Sequence, residues 1–248
     1  MAGHSKWAQI KRKKAAADAR RGQVFTRLIR EITVAARLGG GDQETNPRLR
    51  QAVAQAKEAN MPAHNIKRAI QRGTGELPGV AYEEAVFEGY GPGGVAIMME
   101  VLTDNRNRTV ASLRHLFAKY GGNLGEPGCV AWMFEKQGRV SVKKNGINEE
   151  SLLECVVEGQ GQDYAEQEDV YEIASPPGSV DSLRRILEEN HFTVEKAEVT
   201  LVPRNSVRVE GEDARKVLRL MDELEEHEDI QRFSSNFDVD ERVLMELE

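Results

Sequence analysis

The chain has 248 residues, 40% apolar and 30% charged, with a net charge of −7, a composition ordinary for a soluble globular protein of one large domain or two to three small ones. Two cysteines, Cys129 and Cys155, exclude a disulfide framework and a cysteine-based zinc site. No apolar run approaches the ~20 residues of a membrane span, and no apolar core follows the first basic residues as a secretory signal requires.

The net charge hides a segregation. Residues 1–72 hold 16 Lys/Arg against 5 Asp/Glu, whereas the rest of the chain holds 18 against 36. A strongly basic module on an acidic body points to a polyanionic partner, above all nucleic acid. The body also offers an acidic surface for protein partners.

In chain order, residues 1–22 are small, basic and poor in core positions, which predicts an extended or partly ordered arm. It carries Lys6, Trp7, Lys11, Arg12, Lys13, Lys14, Arg20 and Arg21. Each phosphate such cations neutralise releases condensed counterions, and an indole among them suits stacking on a base. A helix is predicted over 25–38, where Phe25, Leu28, Ile29, Ile32 and Ala36 share one face. Arg27, Arg30 and Arg37 fall on another face, so this helix reads as apolar inward and cationic outward. Gly39 is expected to supply its C-terminal turn.

Asn46-Pro47 reads as N-cap and first position of a second helix. Asn60-Met61-Pro62 breaks it, and a third helix carries Ile66, Ala69 and Ile70 inward with Lys67, Arg68 and Arg72 available outward. The predicted primary contact with nucleic acid is Lys6, Trp7, Lys11, Arg12, Lys13, Lys14, Arg20, Arg21, Arg27 and Arg30. The glycine-rich stretch 73–79 is a linker at which charge sign and periodicity both change.

Strands follow at 84–88 and 95–103, joined by Gly89-Tyr90-Gly91-Pro92-Gly93-Gly94. These letters match a dinucleotide fingerprint, but a strand rather than a helix comes next, so they read as a hairpin turn. Asp104 or Asn105 can cap a helix over 108–120. Arg106 and Arg108 in its first turn oppose the helix dipole and would be better tolerated beside an anion; they form a candidate second contact. A strand is expected at 130–134.

From 139 the pattern reads strand (139–143), helix (149–157), strands (162–165 and 170–174), helix (180–190) and strand (194–201). That βαββαβ order is the ferredoxin-like signature. A strand (206–209), a helix (213–226) and a strand (229–234) complete the chain and can join the elements at 84–134 in one sheet. The acidic run 222–229 reads as a solvated helix face. The five histidines lack metal-ligand spacing, and no catalytic motif is present, so no catalytic residue, metal, cofactor or small-molecule substrate is expected.

Several stretches together resemble the YebC/PmpR family: Gly3-His4-Ser5-Lys6-Trp7, Phe25-Thr26-Arg27-Leu28-Ile29-Arg30-Glu31-Ile32, Asn60-Met61-Pro62, Glu88-Gly89-Tyr90-Gly91-Pro92-Gly93-Gly94, Thr103-Asp104-Asn105-Arg106-Asn107-Arg108-Thr109 and Gly121-Gly122-Asn123-Leu124-Gly125. The resemblance implies a multidomain α and α+β fold: a basic arm and three-helix bundle (1–75), a discontinuous α/β middle domain (80–135 with 205–240) and an inserted ferredoxin-like domain (136–204). It also implies a non-enzymatic, cytoplasmic regulator of gene expression that binds DNA to control transcription. Some members are instead ribosome-associated translation factors that assist difficult peptide stretches, with ribosomal RNA as the polyanion.

Overall fold

The computed structural model describes residues 19–240 apart from Asn145, Ile147 and Glu168, with side chains from Gly22 onward. Residues up to Trp132 together with those from Asn205 form one compact unit, and Met133–Arg204 form another. Among the described residues there are seven α-helices and two four-stranded antiparallel sheets.

The first unit opens with three helices, α1 (Ala19–Gly39), α2 (Pro47–Glu58) and α3 (Ala63–Gly73). Helix α1 begins upstream of the predicted 25, because Ala19, Arg20, Arg21 and Gln23 favour helix without needing apolar positions. It ends where Gly40, rather than Gly39, takes the left-handed conformation (φ 84°) and donates its N–H to the Ala36 carbonyl. Ile32, Ala35, Ala36, Leu49, Val53, Ala56, Ile66 and Ala69 share one core. Asn46 locks the first corner. Its side-chain oxygen accepts from the Leu49 N–H at 3.1 Å, capping α2, while its Nδ2 donates to the Ala35 and Gly40 carbonyls at 2.8 Å each. Thr33 Oγ1 donates to the Ala69 carbonyl, tying α1 to α3.

The sheet of this unit has the order β3-β1-β2-β9, with β1 at Glu83–Tyr90, β2 at Ala96–Thr103, β3 at Asn123–Leu124 and β9 at Ile230–Ser235. Helices α4 (Arg106–Lys119) and α7 (Gly211–Glu226) cover it: Leu113 and Phe117 of α4 and Val217, Leu220 and Leu224 of α7 share a core with Phe87, Ile97, Met99 and Ile230. The glycine-rich hairpin between β1 and β2 turns on Gly93 (φ 67°) and Gly94 (φ 77°), conformations that L side chains rarely adopt. The tail strands divide. Strand β9 joins β2 as expected. Strand β8 (Val207–Arg208) instead pairs in parallel with a strand the sequence pattern does not announce, β10 (Phe237–Asp238), in a separate two-stranded sheet.

The expected strand at 130–134 is corrected. Ala131–Met133 is a 3-10 turn, and β4 runs unbroken over Phe134–Lys143. The cause is Glu88, whose buried carboxylate accepts the backbone N–H groups of Gly128, Val130 and Ala131 at 2.7–2.8 Å. Those donors are not available to a ladder. Burial alone would raise the Glu88 pKa, but the three amides hold it below the usual carboxylate range.

The second unit contains β4, α5 (Glu149–Glu158), β5 (Asp163–Glu166), β6 (Val170–Ser175), α6 (Val180–Glu189) and β7 (Val194–Pro203). Its strands lie in the order β5-β6-β4-β7, each antiparallel to its neighbour. Val140, Val142, Leu152, Cys155, Ile173 and Leu187 build its core. Phe134 pairs with Pro203, so the ends of the unit lie side by side.

Replacing Asn46 with Ala removes the α2 cap and the side-chain donor to the Ala35 and Gly40 carbonyls. We expect a loss of about 2–3 kcal/mol, read as a shifted urea midpoint with the slope unchanged.

Candidate nucleic-acid interface

The cations of the helical bundle divide into two sets. One set faces the β-sheet of its own unit. Arg30 is 7% exposed and Asp229 3%. Arg30 Nη1 donates to Asp229 Oδ1 at 2.6 Å and to the Glu228 carbonyl at 2.7 Å. The same carboxylate accepts from Thr109 Oγ1 at 2.7 Å and from Arg108 Nη2 at 3.1 and 3.2 Å. One carboxylate thus ties α1, the start of α4 and the approach to β9. Its position follows from the sheet: register shifts between Glu100 and Val101, and the Asp229 carbonyl then accepts the Leu102 N–H at 2.9 Å.

Burial would raise the Asp229 pKa, but Thr109, Arg108 and Arg30 together hold it below the usual aspartate value. Arg27 donates to the His227 carbonyl at 3.4 Å, and burial pulls its pKa down. His227 Nδ1 accepts the Asp229 N–H at 3.2 Å, which leaves Nε2 as the protonated nitrogen, facing Ser112 Oγ at 2.9 Å. Burial, then the Arg27 and Arg30 charges, lower the His227 pKa against the pull of Asp229. A second bridge runs through Arg48, which donates to Glu31 from α1 at 2.7 and 3.1 Å and pairs with Glu84 from β1 at 2.6 Å.

The other set faces outward. On α3, His64, Lys67, Arg68, Gln71 and Arg72 recur at helical spacing on the side opposite Ile66, Ala69 and Ile70. Lys67, Arg68 and Arg72 are exposed, and none has a partner among the described residues. Near Arg72 lies a groove of about 220 Å³ lined by Arg37, Arg72 and the linker as far as Tyr82.

Two expectations from sequence change here. The cationic face of α1 is not wholly outward: Arg30 is buried in an ion pair, and Arg27 is half-buried against His227, so both leave the predicted contact. The acidic run 222–229 is not wholly solvated, because Asp229 turns inward. The anion that Arg108 wants is internal, supplied by Asp229 and by Asp104 at 2.8 Å, while Asn105 caps α4 by accepting the Arg108 N–H at 3.1 Å. Arg106 stays exposed, its guanidinium 5.3 Å from the Phe87 ring centre. Lys6, Trp7, Lys11, Arg12, Lys13 and Lys14 lie outside the described residues. Arg20 and Arg21 lie in α1, with side chains outside the description. Lys67, Arg68 and Arg72 were visible in the helical spacing as available cations, but the predicted contact omits them.

Family models match nearly the whole chain: "TACO1/YebC protein N-terminal domain" over residues 5–76 and "TACO1/YebC second and third domain" over residues 82–237. The chain belongs to the TACO1/YebC family. The resemblance seen in the sequence motifs is therefore confirmed. A relative from Dictyoglomus turgidum, named "Probable transcriptional regulatory protein", is 54% identical over 248 residues, all of both chains. Another of the same descriptive name, from Geobacter sulfurreducens, is 52% identical over 239 residues, 96% of each chain. Among solved structures, a conserved hypothetical protein from Aquifex aeolicus aligns with a TM-score of 0.84 at 48% identity, covering 95% of this chain and 97% of that one. No helix among the described residues is long and apolar enough to cross a membrane, and no group of His, Cys, Asp or Glu among them could hold a metal ion.

Truncating Asp229 to Ala leaves Arg30 buried without its carboxylate. We expect a cost of about 3–5 kcal/mol by chemical denaturation at pH 7. In the native chain, the contribution of His227 is present above pH ~6.5 and is lost as pH falls through its lowered folded value. That of Asp229 is present above pH ~3.9 and is lost further into acid. Stability measured from pH 7 into strong acid should therefore decline in two stages, and in the Asp229→Ala chain the more acidic one should shrink to the part that Glu88 and the other lowered carboxylates supply.

Proposed function

We propose that this protein is a non-enzymatic, nucleic-acid-binding regulator of gene expression, acting in the cytoplasm as a DNA-binding transcriptional regulator. It holds the phosphate backbone through its basic N-terminal module. The observation that carries the reading is the unpaired cationic face of α3 on a module that holds 16 Lys/Arg against 5 Asp/Glu. Cations already committed to carboxylates cannot exchange counterions with a polyphosphate, whereas Lys67, Arg68 and Arg72 can. The contact is Lys6, Trp7, Lys11, Arg12, Lys13, Lys14, Arg20 and Arg21 together with this face. The names of the relatives support a role in transcription. We divide the chain accordingly into the basic module (1–75), a discontinuous α/β domain (80–135 with 205–240) and an inserted ferredoxin-like domain (136–204). The acidic remainder repels phosphate, orients the module on its target and is available to protein partners.

The position of the cations on α3 favours a second reading as well. A recognition helix reads base edges mainly with its N-terminal residues. Here the first turn holds Ala63, His64 and Asn65, and the arginines come later. Such a face suits phosphates more than base edges, which ribosomal RNA satisfies as well as DNA. In that case the protein is a ribosome-associated translation factor that assists difficult peptide stretches.

Binding to duplex DNA should weaken linearly with the logarithm of salt, with a slope of roughly −5 to −7 for about 6–8 neutralised phosphates. A chain carrying Lys67→Glu and Arg68→Glu should lose about two from that slope while unfolding at the native temperature. A flat native response would contradict the proposal. Enrichment of one duplex sequence in a selection separates transcription from translation, which predicts co-sedimentation with ribosomes instead.

A further inference from the structure

The groove beside α3 is built in a way that the bundle's helix packing does not require. Arg37 comes from the last turns of α1 and Arg72 from the end of α3. The linker between the bundle and β1 closes the groove with Gly75, Gly79, Val80 and Tyr82. Gly75 turns the linker with φ 83°. At Gly79 the linker backbone lies so close that a Cβ there would stand 3.1 Å from the Arg72 Cβ. The linker thus runs along the Arg72 stem, while Arg72 as a whole stays exposed and has no polar partner among the described residues. Arg37 spends one Nη2 donor on the Tyr82 carbonyl, and a guanidinium carries five.

No acidic residue is among the described residues that line the groove. The linker's own carboxylate, Glu76, is occupied with Thr74 and Gln71. Arg27, Arg30 and Arg48 each meet a carboxylate or a backbone carbonyl of the sheet layer, whereas Arg37 and Arg72 meet no carboxylate among the described residues. One exposed aliphatic side chain, Val80 at 53%, lines the groove. At about 220 Å³ the groove is smaller than the ~300–1,000 Å³ of a site for a drug-sized molecule.

We propose that the Arg37–Arg72 groove is a seat for one phosphodiester group of a nucleic-acid strand, with Val80 against the adjoining sugar. The inference rests on the nucleic-acid reading above and deepens it, because the groove continues the face of Lys67 and Arg68. Two forked guanidinium groups suit a tetrahedral anion with several acceptor oxygens. The apolar rim favours a sugar-linked phosphate over a free one.

The test uses the full chain. Binding to one fixed duplex and to one RNA of equal length is measured across salt for the native protein, Arg72→Ala and Arg72→Lys. Arg72→Ala should reduce the magnitude of the salt slope by about one and weaken binding several-fold. Arg72→Lys should keep the slope but bind less tightly than native. Thermal unfolding of the Arg72→Lys chain should not move, because lysine keeps the aliphatic stem against the linker and Arg72 has no polar partner among the described residues. Arginine Nε–H resonances give an independent readout. A 5′-phosphorylated tetranucleotide should shift those of Arg37 and Arg72 at concentrations where inorganic phosphate and a glutamate-rich peptide do not. A normal native slope that Arg72→Ala leaves unchanged would overturn the groove alone. A flat native slope would remove the parent reading and the groove with it. Tighter binding of the peptide would reassign the groove to an acidic protein partner and overturn the proposal.

Discussion

A single buried ion pair, Arg30 with Asp229, fixes which cations of this protein are structural and which are free. Taking both charges out of water is costly, and only good geometry recovers the cost. The Asp229 carboxylate meets that condition with Arg30, Arg108 and Thr109 all donating to it. With α1 held against the sheet layer by this clasp and by the Arg48 bridge, the orientation of the bundle is set. Helix α3 then has one side packed on α1 and the other turned outward. The exposed cationic face is thus a consequence of the clasp as much as of the α3 sequence. Losing either half of the pair would leave an uncompensated charge in the interior rather than a new surface contact.

The division has an electrostatic logic. Within residues 1–72, Arg27, Arg30 and Arg48 are drawn inward to carbonyls and carboxylates of the sheet layer. Lys67, Arg68 and Arg72 meet no carboxylate among the described residues, which leaves them able to exchange counterions. The acidic surplus after residue 72 serves the inward set at Asp229, Glu228 and Glu84, and elsewhere adds a field that repels phosphate. One charge asymmetry therefore stabilises the fold and selects the face open to a polyanion. The likeness to the Aquifex aeolicus protein shows that the fold carrying this arrangement is not confined to this chain.

What the sequence made legible was mostly local. Asn46-Pro47 announced a capped helix because both residues act within one turn of themselves. The hairpin glycines were readable because a strand, not a helix, followed them. The strand–helix order from Arg139 onward was readable from periodicity, although its first strand begins earlier, at Phe134. The clasp was not, because Arg30 and Asp229 lie 199 positions apart, and a cation at helical spacing looks the same whether it meets water or a buried carboxylate. The run ending at Asp229 looked solvated for the same reason: six acids in eight positions conceal the one that turns inward. The expected strand at 130–134 failed because Glu88, more than forty residues upstream, claims the amides that a ladder would need. Strand β10 was too short to leave a pattern.

The central claim is that the cations form two sets before any partner arrives, one committed to the fold and one open to phosphate. Residue-resolved arginine and lysine modification, compared with and without bound nucleic acid, tests it most directly. The account predicts that Arg30 resists modification in both states, that Lys67, Arg68 and Arg72 react in the free protein and are shielded on binding, and that Lys143, Lys144 and Lys196 react equally in both. Ready modification of Arg30 in the free protein, or shielding that falls on those last lysines while α3 stays reactive, would contradict it.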